Sequence, residues 1–254
     1  MARGLQRPLL PIHGGRSEGM AGSMINLVQL PVYFIKRLPS ENLFWLHKYH
    51  GILKRLKTNI ETKTYFGASM ECSINDFIGK KIILYGRWEP NISHVIESLL
   101  HPGDVVADVG ANIGYDTLLA AKMVGSSGSV IAIEASPSTF SKLNRNVQIN
   151  NLGNVRTVNA AVLGHRGEIE IYITDKDNIG ASTTVKVDGS EYEATVACDV
   201  LDAFLNPEEL KRLSLIKIDV EGAEISIILD IISKIDSYPV SVKILVEAAL
   251  ETKN

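Results

Sequence analysis

The sequence predicts an α/β fold, a doubly wound and mostly parallel sheet with a small N-terminal α+β cap. Two observations predict it. Short, almost fully apolar runs recur from Asp104 onward: Val105 to Val109, Val130 to Glu134, Val155 to Val162, Leu215 to Asp219 and Val242 to Glu247. Helix-length stretches, Asn112 to Met123 and Pro137 to Asn150, separate the first three, and Pro137 suits a first helical position. Strands apolar on both faces need helices on both faces, and that arrangement means parallel strands joined by crossovers.

Residues 1–24 are rich in Gly, Ser and Arg, lack the apolar core of a secretory signal and read as a leader or cloning remnant outside the fold. In residues 25–100, Ser40 is a candidate cap for a helix over Glu41 to Lys57. Thr62 to Tyr85 then alternates around Gly67 and Gly79 as a small β-meander, and Asn91 caps a helix over Ile92 to Leu100. These elements make up the cap. Residues 101–254 begin with the turn His101-Pro102-Gly103 and hold the sheet. Within them, Glu168 to Thr174 and Glu193 to Ala197 are strand-like pieces around the polar loop Asp175 to Ala181, an insertion of the kind that carries substrate specificity. Asp199 is a cap candidate for Val200 to Phe204, and a short helix over Pro207 to Leu213 leads into the fourth core strand.

Composition narrows the class. With 254 residues, 45% hydrophobic and 22% charged, the chain is neither disordered, collagenous nor a coiled coil, and it accommodates one large catalytic domain with a modest extension. Cys72 and Cys198 match neither a disulfide framework nor metal-ligand spacing, which points to a reducing, cytoplasmic compartment. Residues 1–60 carry nine Lys and Arg against Glu18 and Glu41, while the remaining 194 residues carry 17 basic and 27 acidic side chains. An acidic body is not a nucleic-acid-binding surface, since phosphate neutralisation needs a basic one. Weak contact of the basic N-terminal section with a membrane surface stays open beside the plainer reading of a solvated leader and surface helix. No apolar stretch is long enough for a transmembrane helix.

The chemistry should sit just after the apolar runs, because open parallel sheets bind ligands at the carboxyl ends of their strands. Asp108, Gly110, Ala111, Asn112 and Gly114 form a tight strand-to-helix turn whose glycines would let a ligand approach backbone N–H groups. The dinucleotide spacing Gly-x-Gly-x-x-Gly fails, because positions 112 and 115 are Asn and Tyr. Glu134 ends the second run, where a carboxylate can accept from both hydroxyls of a ribose, with Ala135 beside it. A ribonucleoside without a pyrophosphate is implied, and S-adenosylmethionine fits, with Asp108 and the glycine turn facing its amino-acid part. After the fourth run, Asp219, Glu221 and Glu224 form a negative patch; helix capping is the plainer role for such acids.

His101 to Asp104, Val105 to Gly114, Glu134, the helix bearing Asn144 and Asn146, and Lys217 to Glu224 together resemble the FkbM-type methyltransferases, a class I S-adenosylmethionine-dependent family. Gly86-Arg87-Trp88-Glu89-Pro90 is similar to that family's lead-in segment, and the likeness covers roughly Ile82 to Glu247. It implies a Rossmann-like sheet, S-adenosylmethionine as cofactor, and O-methylation of a sugar, glycolipid or polyketide-like acceptor in the cytoplasm. Two features depart from the family: Ala135-Ser136 separates Glu134 from Pro137, and the chain stops seven residues after Glu247. Family members usually continue into an antiparallel strand pair; without it a sheet edge would stand open, which invites pairing with another chain and so an oligomer, cover from the N-terminal subdomain, or poor stability.

A neutral alcohol needs a general base within hydrogen-bond reach. Asp219 is the first candidate, with Glu221 and Glu247 as further catalytic candidates. His165, between Gly164 and Gly167, reads as a surface turn residue. Asp199, Asp202, Asp219, Glu221 and Glu224 could supply oxygen ligands, but Asp199 and Asp202 suit a helix cap and a polar helix face, so no metal is assigned. A non-catalytic module that binds S-adenosylmethionine or a membrane surface is the alternative reading.

Overall fold

The computed structural model describes residues 59–174, 182–184, 186–220 and 222–247. The leader, the helix expected over Glu41 to Lys57, the loop Asp175 to Ala181 and Glu221 lie outside them.

Alternation around Gly67 produces a hairpin in which β1 (Asn59–Lys63) pairs antiparallel with β2 (Ser69–Ser73). The expected meander stops there. Asp76 accepts from the Gly79 N–H at 2.6 Å and caps α1 (Phe77–Tyr85), a helix that buries Ile82 and Ile83. α2 (Pro90–Leu99) starts two residues earlier than expected, with Glu89 rather than Asn91 at its cap position.

The next elements alternate as predicted: β3 (Val105–Val109), α3 (Tyr115–Val124), β4 (Ser129–Glu134), α4 (Pro137–Ile149) and β5 (Val155–Asn159). α3 begins at Tyr115 instead of Asn112, because Asn112 and Gly114 are left-handed (φ 50° and 92°) and cannot join a right-handed helix. The run Val155 to Val162 splits. β5 ends at Asn159, and β6 (Ala161–Val162) joins a second sheet with β7 (Gly167–Ile173), β8 (Ser182–Thr183) and β9 (Glu191–Asp199) in the order β6-β9-β7-β8. α5 (Pro207–Lys211), β10 (Leu213–Ile218), α6 (Glu224–Ser233) and β11 (Lys243–Val246) follow. The central sheet has the order β11-β10-β3-β4-β5, every pair parallel, with β11 at one margin of the described sheet.

Period two sorts the strand residues between two layers. Val105, Ala107 and Val109 with Ile216 and Ile218 pack against Ile227 and Ile231 of α6. Val106, Val130 and Leu215 face the other way, into one core with Met70 of the hairpin, Ile82 and Ile83 of α1, and Leu118 and Leu119 of α3. The hairpin and α1 therefore cover one face of the sheet and share its core. Two amides key the hairpin to α4: Asn146 accepts from the Glu71 N–H at 2.7 Å and Asn150 from the Ser69 N–H at 2.9 Å. Asn146 also donates to the Ile113 carbonyl at 2.8 Å, and so supports the turn after β3 from beneath. Two residues further along each strand, Asp108 and Lys217 continue the rows of Val106 and Leu215, which pack against α3, and Glu134 continues the row of Ala132, which packs against α4. Cys72 and Cys198 are buried in different clusters, each as a thiol.

Candidate functional site

The carboxyl ends of the central strands open into a cavity of about 240 Å³. Its floor is the turn after β3. Gly110 is left-handed at φ 78°, and a Cβ there would lie 1.8 Å from the Asp219 carbonyl oxygen, so the two strand ends can cross only at a glycine. The Gly110 and Ala111 N–H groups donate to the Ile133 carbonyl at 2.9 and 3.0 Å. Both residues line the cavity, but these N–H groups are spent on β4 and do not stand free for a ligand as the glycine pattern suggested.

Glu134 is held from both sides at one end. Its Oε2 accepts from the Asn112 N–H at 2.8 Å and its Oε1 from the Ser136 N–H at 2.9 Å, which fixes the carboxylate plane and leaves each oxygen a further lone pair. Burial pushes its pKa up to about 7 despite these two N–H donors. Ala135, Ala160, Ala161, Val162, Leu163 and Ile171 give this end an apolar wall. The split of the third run supplies most of it, since the chain from Ala160 to Leu163 turns over the cavity rather than extending β5.

A buried charge cluster occupies the other end. Lys217 and Asp108 are register partners on adjacent strands, and Asp116 comes from the first turn of α3. Lys217 Nζ lies 3.1 Å from Asp219 Oδ2, 3.3 Å from Asp116 Oδ2 and 3.9 Å from Asp108 Oδ1. Burial works against the ammonium, but the three carboxylates outweigh it and hold Lys217 above the ordinary lysine range. Burial raises Asp108, and it raises Asp116 to about 6. Among the described residues, Asp108 Oδ1 and Asp116 Oδ1 have no hydrogen-bond partner. Carboxylates outnumber the lysine, and the surplus negative charge suits a cationic ligand.

Glu89 and Glu247 also line this end. Burial, then Glu247, Asp116 and Asp219, push the Glu89 carboxyl up to about 7. Trp88 and Phe77 roof it edge to face, with ring centroids 5.8 Å apart.

Of the residues expected from sequence, Gly110, Ala111, Asn112, Glu134, Ala135, Asp219 and Glu247 all line the one cavity. Asp108 does not. It lies beneath the floor, 2% exposed, where Thr117 Oγ1 donates to it at 2.5 Å, so it holds Lys217 rather than reaching a ligand amine directly. Gly114 supports the floor from outside the lining; its missing Cβ leaves room for Leu143. Glu221 lies outside the described residues. Glu224 turns back to accept from the Gly222 N–H at 3.0 Å, a local loop bond. Among the described residues no group of three or more His, Cys, Asp or Glu is arranged to hold an ion, and no helix is long and apolar enough to cross a membrane.

Sequence reasoning missed Lys217, Asp116, Trp88 and Glu89. A lysine inside the apolar run Leu213 to Ile218 was itself a signal, because a buried ammonium demands carboxylate partners. Asp116 reads as an ordinary first-turn acid, and nothing local distinguishes it.

The raised carboxyls carry a stability consequence. In the folded state Glu89, Asp116 and Glu134 hold protons that the unfolded chain releases at its ordinary, lower pKa values. The folded form binds more protons between pH 5 and 7, so stability falls as pH rises through that window. The ligand-free thermal midpoint is expected to drop by roughly 3–8 °C from pH 5 to pH 8; a midpoint that climbs over this range would mean that these groups titrate normally.

Residues 108–250, more than half of the chain, match the family model described as the methyltransferase FkbM domain. "Methyltransferase 1" of Beauveria bassiana is 30% identical over 142 residues, 48% of this chain and 56% of that protein. Among solved structures, a methyltransferase FkbM from Methylobacillus flagellatus is 14% identical, with 66% of this chain and 41% of that one covered at a TM-score of 0.40. A precorrin-6y C5,15-methyltransferase from Geobacter metallireducens is 16% identical, with 63% and 64% covered at a TM-score of 0.40. The chain spans less than two-thirds of each of these proteins.

Proposed function

Because the chain belongs to the FkbM methyltransferase family, an S-adenosylmethionine-dependent class I family, we propose that it methylates a hydroxyl of a sugar, glycolipid or polyketide-like acceptor. The observation that carries the cofactor's placement is Glu134, a carboxylate clamped by two backbone N–H groups at a strand end, with lone pairs left for two vicinal hydroxyls. The donor set fits the rest of the molecule. The apolar wall from Ala160 to Leu163 suits a nucleobase, and the surplus carboxylates around Lys217 suit an ammonium and a sulfonium.

When bound, S-adenosylmethionine supplies a methyl carbon on a sulfonium, open to in-line displacement. The chain's own task is to align an acceptor oxygen with that carbon and to exclude water, and alignment of this kind can contribute about 7–11 kcal/mol. Trp88 and Phe77 cover the acceptor end with aromatic faces suited to the C–H face of a sugar ring. Lys217 holds Asp219 in place beneath them. A reducing compartment such as the cytoplasm accords with two buried thiols.

Calorimetry with S-adenosylmethionine and its demethylated product, followed by incubation of methyl-labelled cofactor with sugar and lipid acceptors, tests this proposal. Label should appear as an alkali-stable ether. An alkali-labile ester would replace the hydroxyl with a carboxyl acceptor, and failure of either nucleoside to bind would remove the activity altogether.

A further inference from the structure

On the reading that this cavity holds S-adenosylmethionine, we infer that Glu89, backed by Glu247, faces the transferable methyl and takes the proton of the acceptor hydroxyl.

The backbone at Glu89 is the first observation. It is left-handed, at φ 39° and ψ 74°, directly before Pro90, a conformation that a residue with a side chain adopts only when its surroundings impose it. Glu89 stands at the cap position of α2, yet its side chain makes no capping bond and lines the cavity instead. The strained turn therefore serves to aim the carboxyl inward.

Strand order supplies the second. Glu134 ends β4, Asp219 follows β10 and Glu247 follows β11. At about 4.8 Å per strand, β10 and β11 lie roughly 10 and 14 Å across the sheet from β4. A nucleoside held by its ribose at Glu134, with its sulfur end extended across β3, brings the methyl to the side where Glu89 sits. The charged groups facing Glu89 come from this side: Glu247 after β11, Asp219 and Lys217 from β10, and Asp116 from α3.

The competing carboxylates are less suited. Asp219 already accepts from Lys217 at 3.1 Å, and Asp116 is tied to the same ammonium. Among the described residues Glu247 Oε2 has no hydrogen-bond partner, and after burial its charge is the largest influence that raises the Glu89 carboxyl, which favours a proton on Glu89. In the step, the acceptor O–H proton moves to Glu89 as the oxygen–methyl bond forms. The carbon–sulfur bond breaks with its electron pair on sulfur, and a neutral thioether leaves.

Three nucleosides and calorimetry on the full chain test this without an identified acceptor. S-adenosylmethionine and its demethylated product share every group but the methyl, whereas sinefungin carries a carbon in place of the sulfur and an ammonium in place of its methyl. Wild-type protein is expected to prefer sinefungin to the product at pH 8, and the preference should shrink as pH falls below about 7. Glu134 also titrates near this range, but it meets the ribose that both nucleosides share, so the ratio cancels its effect; Asp116 titrates lower, at about 6, and faces the same end as Glu89, so the pH dependence is also read in Asp116→Asn, where it should persist. Glu89→Gln should cut the preference about tenfold or more while leaving product affinity within about twofold, as expected for loss of one charge-assisted contact. An equal loss for all three ligands would assign Glu89 to the shared amino-acid ammonium and overturn its role as base. An unchanged preference in the variant, or a pH-independent preference in wild-type protein, would overturn it as well. If wild-type protein binds none of the three, the methyltransferase proposal itself fails, an outcome distinct from loss of the sinefungin preference alone.

Discussion

Lys217→Met is expected to destabilise the protein by about 3–5 kcal/mol at pH 8, the cost of leaving a buried carboxylate pair without its cation. Methionine matches the length and apolar stem of lysine, so packing changes little and the loss reports charge. Asp108 and Asp116 are both nearly inaccessible to water and would face each other uncompensated. Protonation offers a partial escape, since burial already raises both carboxyls, so the penalty should shrink at pH 5. Adding Asp116→Asn should restore more than half of the loss by removing one unpaired charge. Urea denaturation followed by circular dichroism measures both variants, and a loss below about 1 kcal/mol at pH 8 would mean that the carboxylates are solvated rather than dependent on Lys217.

Glu134→Ala is expected to weaken S-adenosylmethionine and its demethylated product together, by roughly 100-fold or more. The proposed ribose contact would lose two charge-assisted hydrogen bonds, each worth about 1.5–3 kcal/mol. Glu134→Gln should be nearly as harmful. Each carboxylate oxygen faces a backbone donor, from Asn112 or Ser136, so an amide nitrogen would oppose one of them whichever way it turned. Ligand binding requires the ionised form, so wild-type affinity should be intact above the raised pKa and fall as pH drops through about 7. Calorimetry across pH 5.5 to 8.5 follows both effects, and affinity that is unchanged in the alanine variant would dismiss the ribose contact.

Much of the sheet was legible because buried parallel strands carry their own signal. β3 occupies the predicted residues, β4 and β10 extend the predicted runs at their starts, and β11 falls within its run. The cap was harder to read. Alternation over Thr62 to Tyr85 reads as strand throughout, but the Asp76 capping bond makes Phe77–Tyr85 a helix after the hairpin. The run Val155 to Val162 reads as one strand in any local window. Only the pairing of Ala161 with Cys198, 37 positions later, draws its end into the second sheet.

The sequence by itself determined that an acid ends β4 and a glycine turn follows β3, because a strand-end acid and a glycine turn are local features set by spacing along one segment. The tertiary structure decided which acids reach the cavity and which lie beneath it. Asp108 turned out to be a buried partner of Lys217, and Glu89 came into the cavity from a strained turn outside the predicted set. Both outcomes depend on strand order and helix placement, which bring side chains more than 100 residues apart into one low-dielectric pocket, and no local pattern encodes a charge that is defined by its distant neighbours.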